Sequence, residues 1–343
     1  MKDDVSFLRK LLLHSYHLHV YDFKRQGKVL KIYTDQGNFA LKETPRNIGL
    51  EFTKWPRELY FLGYPKVVPI IQTADGRSGI FDSDHFYYLM PWISRNRRYK
   101  QEEIELKLFR ELARIHSLTS KEFPVTEEEL KGYYEGIKNT WEEELSFLEK
   151  IIETFESRLY MSPFELLYCT IFNDLYKGTI YALHSLENWY NAVKDNKKVR
   201  TVFIHGKVRP EHFLLDERGH GYFINFEKSR VHSPIFDLIP YIKRGLKTYP
   251  LETVPFEWYQ QYIKYFRLRD EEIDLLKSRL AFPKSIIKTV HHYVGNKKIC
   301  NERMITGKLQ SQYWCFKNIE KFVMRVQEWN KQNNEEDISS GEV

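Results

Sequence analysis

The stretch Val202-Phe203-Ile204-His205-Gly206-Lys207-Val208-Arg209-Pro210-Glu211-His212-Phe213-Leu214-Leu215 decides how this chain is read, together with Tyr222-Phe223-Ile224-Asn225-Phe226-Glu227 just beyond it. It holds three apolar triplets. The first predicts a strand that opens into a loop at His205-Gly206. The second and third flank Asp216-Glu217-Arg218-Gly219-His220-Gly221, a polar, glycine-bearing turn, and so predict a hairpin. A short β-patch of this kind inside a helical sequence is a strong landmark.

Upstream the chain reads as strands. His17-Leu18-His19-Val20-Tyr21 alternates, residues 29–33 alternate again, and Asn38-Phe39-Ala40-Leu41-Lys42 follows a Gln36-Gly37 turn. This pattern predicts an antiparallel meander. A helix is expected over 50–62, interrupted by Pro56. Further strands are expected over 67–73 and 85–90, around the turn Asp75-Gly76-Arg77.

The sequence then turns helical. Ile104, Leu108, Leu112 and Ile115 share one helix face. Thr126 with Glu129, and Ser162-Pro163 with Glu165, are capping-box starts. The first precedes a helix whose apolar positions are Ile137, Trp141, Leu145, Leu148 and Ile152. Helices are expected again from about 236 to 330. The expectation is therefore a β-rich N-terminal lobe over 1–93 and a helical lobe over 94–330 that carries the hairpin. The tail 331–343, almost without apolar residues, is expected to be disordered.

Composition narrows the classes. With 53 Lys and Arg against 47 Asp and Glu, the 343 residues carry a formal charge of +6, too mild to argue for nucleic acid. The start Met1-Lys2-Asp3-Asp4 is not a secretory signal, and no apolar run reaches the ~20 residues of a membrane span. Synthesis in the cytoplasm is expected. Cys169, Cys300 and Cys315 form no CxxC pair, so no disulfide framework is expected. Aromatic residues make up 15%, which fits an aromatic core or a surface used in assembly.

Phosphoryl transfer needs a strand lysine for ATP phosphates, a carboxylate base in a loop and oxygen ligands for Mg²⁺ near a short hairpin. The order Lys42, His205-Gly206, Ile224-Asn225-Phe226-Glu227 and Asp237-Leu238 repeats this skeleton. Here the chain resembles the aminoglycoside and choline kinase superfamily, with its His-Gly-Asp loop, an Asn five residues later and a following Ile-Asp segment. Phe109-Arg110-Glu111-Leu112-Ala113-Arg114-Ile115-His116 is similar to a helix of that family. Tyr64-Pro65-Lys66-Val67-Val68-Pro69, Thr73-Ala74-Asp75-Gly76 and Met90-Pro91-Trp92-Ile93 are most similar to bacterial spore coat proteins of the CotS/YsxE type. The resemblance spans residues 5–330. It implies an α+β, two-lobed protein-kinase-like fold (aminoglycoside phosphotransferase-like), with a small antiparallel β N-lobe and a large helical C-lobe. It also implies synthesis in the mother cell, a place in the spore coat and other coat proteins as partners.

The departures set the expected function. Aligned on His205-Gly206, the catalytic Asp position holds Lys207, the metal-ligating Asn position holds His212, and the metal-binding Asp position holds Asn225. A protonated lysine has no lone pair to accept a hydroxyl proton. Mg²⁺ prefers oxygen, and imidazole is a poor substitute. No cofactor is therefore expected, and the first reading is a non-catalytic structural protein. The second is an atypical small-molecule kinase that uses ATP and Mg²⁺ with Glu211 and Glu227 recruited. The third is an anion-binding module built on Lys42, Lys207 and Arg209. His205 and Gly206 are read as holding the loop, and Asp237 as a helix cap. Weaker patterns are the histidines His14, His17 and His19, His291 and His292 with Cys300, and the basic run Arg95-Asn96-Arg97-Arg98. Each has an ordinary surface reading, and no metal site is expected.

Overall fold

The computed structural model describes residues 5–27, 29–48, 50–82, 85–94, 98–296 and 301–340. Arg95, Asn96, Arg97 and Cys300 lie outside them, and with them most of the basic run and one member of the His/Cys pattern. In chain order the helices are α1 (Val5–Tyr16), α2 (Trp55–Phe61), α3 (Gln101–Thr119), α4 (Glu127–Glu156), α5 (Pro163–Asn196), α6 (Ile235–Thr248), α7 (Thr253–Ile263), α8 (Asp270–Ala281), α9 (Lys284–Gly295) and α10 (Glu302–Ser340). The strands are β1 (Val20–Gln26), β2 (Val29–Thr34), β3 (Gly37–Pro45), β4 (Ile80–Asp82), β5 (His85–Pro91), β6 (Lys121–Pro124), β7 (Lys198–Ile204), β8 (Phe213–Leu215), β9 (Gly221–Phe223) and β10 (Arg230–His232). Two compact units emerge: Met1–Thr119 with Phe203–Val231, and Ser120–Val202 with His232–Val343. The cut near residue 93 expected from the sequence is a change of secondary structure. Contacts instead group α3 and the β8–β9 hairpin with the N-terminal sheet.

In the first unit, five strands form an antiparallel sheet in the order β1-β2-β3-β5-β4. Period-two alternation gives it two chemically different faces. Leu30 and Ile32 of β2, Leu41 of β3, and Tyr87 and Leu89 of β5 enter a core with Leu8, Leu12 and Tyr16 of α1. These three helix residues are four apart and so line one stripe. Alternation in the neighbouring segment obscured α1, and β1 begins only at Val20, after His17 has turned through a left-handed φ of 54°. His17 and His19 thus precede the strand on which the sequence placed them.

Pro56 starts a helix rather than interrupting one. It stands in the first turn of α2, preceded by a separate turn at Glu51–Thr53, because a proline's missing N–H costs nothing there. The segment expected as a strand over 67–73 makes only two isolated bridges, Val67 to Phe223 and Ile71 to Leu89. α3 buries Ile104, Leu108, Leu112 and Ile115 as their spacing predicts. It also buries Glu111, which accepts hydrogen bonds from Tyr64 (3.2 Å) and Lys66 (3.1 Å). That carboxylate clamps the loop before the bridges onto the helix.

The second unit is helical apart from short strands, with β6 paired to β7. Both capping boxes form, Thr126 with Glu129 and Ser162 with Glu165. α5 packs against α4, α8 and α10, and Gly178 makes room for Phe316 of α10: a Cβ there would lie 2.5 Å from its ring. The Trp141 and Phe282 rings stack at 4.3 Å, so much of the aromatic content is core. α10 continues to Ser340, through most of the segment 331–343 whose composition predicts disorder. Helix 302–330 already supplies the nucleus, and polar residues extend it at little cost. Among the described residues no helix is long and apolar enough to cross a membrane.

Candidate functional site

The sheet face opposite the α1 core opens onto a cleft of about 820 Å³ within the first unit. Alternation places Val29, Ala40 and Met90 there, and Val68, Leu214 and Ile224 complete its apolar wall. The connection after β5 (Pro91 to Ser94) forms one margin, and Glu211 and Asn225 supply polar groups.

The loop after β7 is built around a buried histidine. His205 is 2% exposed. Its Nε2–H donates to the Ile224 carbonyl at 2.8 Å, and its Nδ1 accepts from the Lys207 N–H at 3.3 Å. One ring nitrogen ties the loop to the segment after the hairpin and the other braces the loop itself. Gly206 has φ +74°, and a Cβ there would lie 2.0 Å from the Lys228 carbonyl oxygen. Only glycine fits.

Lys207 follows with its side chain exposed, as is that of Arg209. The Lys207 carbonyl accepts from Nδ1–H of His212 at 2.9 Å, which fixes that tautomer and leaves Nε2 with the ring's lone pair. Burial, opposed by this hydrogen bond and aided by nearby cations, lowers the pKa of His212 to about 4. The ring is neutral at physiological pH.

Lys42 lies on β3 directly across from Tyr88 of β5. Its Nζ donates to Asn225 Oδ1 at 2.6 Å and pairs with Glu227. The Tyr88 hydroxyl donates to the same Glu227 oxygen at 2.7 Å. The Lys42 and Glu227 side chains are only 12% and 11% exposed. Burial opposes the charge on Glu227, but the neighbouring Lys42 cation and the hydrogen bonds outweigh it and hold its pKa below the ordinary carboxylate value. Burial and Glu227 together push the Tyr88 phenol well above its ordinary value. Phe52 packs edge-on against the Tyr88 ring at 5.3 Å. Asn225 has φ +70°, a conformation that Asn tolerates better than most residues.

The fold thus gathers Lys42, Asn225 and Glu227, of which Asn225 lines the cleft, and leaves the Lys207 and Arg209 side chains exposed and outside that lining. Glu211 lines it; its side chain is exposed. Asp237 is buried in the first turn of α6 in the second unit, where Pro234, not Asp237, occupies the cap position. Among the described residues no group of three or more His, Cys, Asp or Glu side chains is arranged to hold a metal. Sequence reasoning missed Tyr88. Its alternation with Tyr87 and Leu89 on β5 is the signal that places it on the sheet face opposite the α1 core.

The chain matches the phosphotransferase enzyme family over residues 26–248. No curated protein matches it in sequence. Among solved structures it is similar to an aminoglycoside phosphotransferase from Alicyclobacillus acidocaldarius, at TM-score 0.70 and 14% identity, with 92% of this chain and 94% of that one covered. It is also similar to a microcompartment-associated aminopropanol kinase (TM-score 0.56, 12% identity, 94% and 98% covered). A third likeness is to a spectinomycin phosphotransferase bound to ADP and spectinomycin (TM-score 0.52, 14% identity, 94% and 98% covered). At these identities the likeness establishes the kinase-like fold.

Proposed function

This chain belongs to the phosphotransferase enzyme family, and from that premise we propose that it no longer transfers phosphate and serves as a kinase-fold structural protein of the bacterial spore coat. The observation that carries the first half is Lys207. An exposed ammonium group stands where the family's loop has its carboxylate, and it cannot accept a proton from an attacking hydroxyl. Asn225 adds to this, since it brings a neutral carbonyl where a full negative charge would hold Mg²⁺. No ATP or Mg²⁺ is then required.

The second half rests on the sequence likeness to coat proteins in residues 64–69, 73–76 and 90–93. Under this reading the protein is made in the mother-cell cytoplasm and ends in the coat, where other coat proteins are its partners. Exposed aromatic residues such as Tyr60, Phe61 and Tyr160 are available for such contacts.

Thermal unfolding with ATP, with and without Mg²⁺, tests the loss of transfer, because a ligand of the native state raises the melting temperature. No shift in either condition is expected. Deletion of the gene in a spore former should alter coat assembly or germination, and an unaltered spore would remove the coat assignment. The rival reading, a small-molecule kinase with Glu211 and Glu227 as substitutes, draws on the position of Glu211 in the cleft lining. It requires a Mg²⁺-dependent shift and a turnover abolished by Lys42→Ala or Glu227→Gln.

A further inference from the structure

We infer that Lys66, Arg110 and Arg114 form a binding site, outside the cleft, for a phosphate group carrying two negative charges. None of the three lines the cleft, and the inference depends on neither the coat reading nor its kinase rival.

The site is built on a buried carboxylate. Glu111 of α3 is 1% exposed, and a charge so placed needs partners. It has more than it needs. Lys66 Nζ lies 3.1 Å, Arg110 Nη2 3.2 Å and Arg114 Nη1 3.6 Å from the same oxygen, Oε1. The Tyr64 hydroxyl donates to the other, Oε2, at 3.2 Å. Among the described residues Glu111 is the only acid within ion-pair distance of any of these cations. Three positive charges therefore share one negative charge, which leaves an excess of two.

The fold concentrates that excess. Arg110 and Arg114 are four residues apart and stack on one face of α3. Lys66 arrives from the loop that Glu111 clamps, 45 residues away in sequence. Glu111 holds all three heads convergent, so a ligand need not order them. Donors remain. An ammonium carries three and a guanidinium five, yet Lys66 and Arg110 each give one to Glu111, and Arg114 stands beyond hydrogen-bond distance. The group opens to solvent at Arg114, whose side chain is 52% exposed. A phosphate monoester carries about −1.5 to −2 at neutral pH and so matches the excess. Arginine forks meet its oxygens in pairs.

The test titrates the full chain with inorganic phosphate and with O-phosphoserine by calorimetry, at an ionic strength fixed with chloride. Both should bind saturably, and sulfate, a dianion of the same shape, should compete. Arg114→Gln should weaken binding at least about tenfold, the worth of one charge-assisted hydrogen bond. Arg110→Gln should do the same, so the site stays testable if either variant fails to fold. Lys24→Gln removes an equal charge from an exposed position on β1 and should change the affinity by less than about twofold, because salt screens distant charges. Tighter binding of inorganic phosphate supports the site and assigns it to the free ion. Tighter binding of O-phosphoserine supports it and assigns it to a phosphorylated side chain. Absence of saturable binding by wild type at millimolar phosphate overturns the inference, as does wild-type affinity in Arg114→Gln. So does a loss at Lys24→Gln equal to that at Arg114→Gln, which would reduce the effect to the general positive charge of the molecule.

Discussion

The apolar wall of the cleft and its polar end differ in what holds them. The wall is made by strand alternation: Ala40 and Met90 face the cleft because Leu41 and Leu89 face the α1 core. The polar end is made by single atoms at fixed places, namely a glycine that tolerates no Cβ, two histidines with assigned tautomers and one buried ion pair. The wall therefore tolerates exchange among apolar residues of similar volume. The polar end depends on its backbone, since Gly206 and both histidine rings are tied to main-chain atoms, so a single substitution there should be felt more than one on the wall.

The largest expected effect is at Gly206. Gly206→Ala should cost more than about 3 kcal/mol, from a left-handed φ and an overlap with the Lys228 carbonyl. Chemical denaturation would measure it, and a stable Gly206→Ala would show that the loop is looser than its contacts suggest. Glu227→Ala comes next, at about 3 kcal/mol, because it leaves Lys42 buried without its counter-charge. The sign of its pH dependence follows from a lowered folded-state pKa. The contribution of Glu227 is fully present above the ordinary carboxylate pKa of about 4.3 and fades as pH falls through the lowered value. The wild-type advantage over Glu227→Gln should accordingly shrink in acid, and an advantage that grew in acid would contradict the ion pair.

On the wall, Met90→Ala should cost about 2 kcal/mol by cavity formation and leave the pH dependence that Glu227 contributes unchanged. A change there would couple the two ends and undo the comparison. The smallest effect is at Lys207. Because its side chain is exposed, Lys207→Asp should alter stability by no more than about 0.5 kcal/mol. It should not by itself restore a Mg²⁺-dependent response to ATP while Asn225 remains neutral. A thermal shift with MgATP in that variant would mean that one carboxylate suffices.

Much of the fold was legible in local patterns. The stripe on α3, the two capping boxes, the β8–β9 hairpin and the β2–β3 alternation all rest on interactions within a few residues or one strand pair. The first-turn place of Pro56 in α2 and the two bridges at Val67 and Ile71 were not. A proline reads alike as a breaker and as a first-turn residue, and an isolated bridge depends on a distant partner. The candidate site divides in the same way. The order of Lys42, His205-Gly206 and Asn225 stands in the sequence, and so do the residue types Lys207, His212 and Asn225.

The amino-acid sequence by itself determined the family skeleton and the residue types at 207, 212 and 225, because motif order and residue identity require no geometry. Only the tertiary structure decided that Lys42 meets Glu227, 185 residues away, while Lys207 and Arg209 stay exposed. Sequence spacing carries no information on which charges share a low-dielectric site, and burial with direct contact is what turns two distant ionisable residues into a pair.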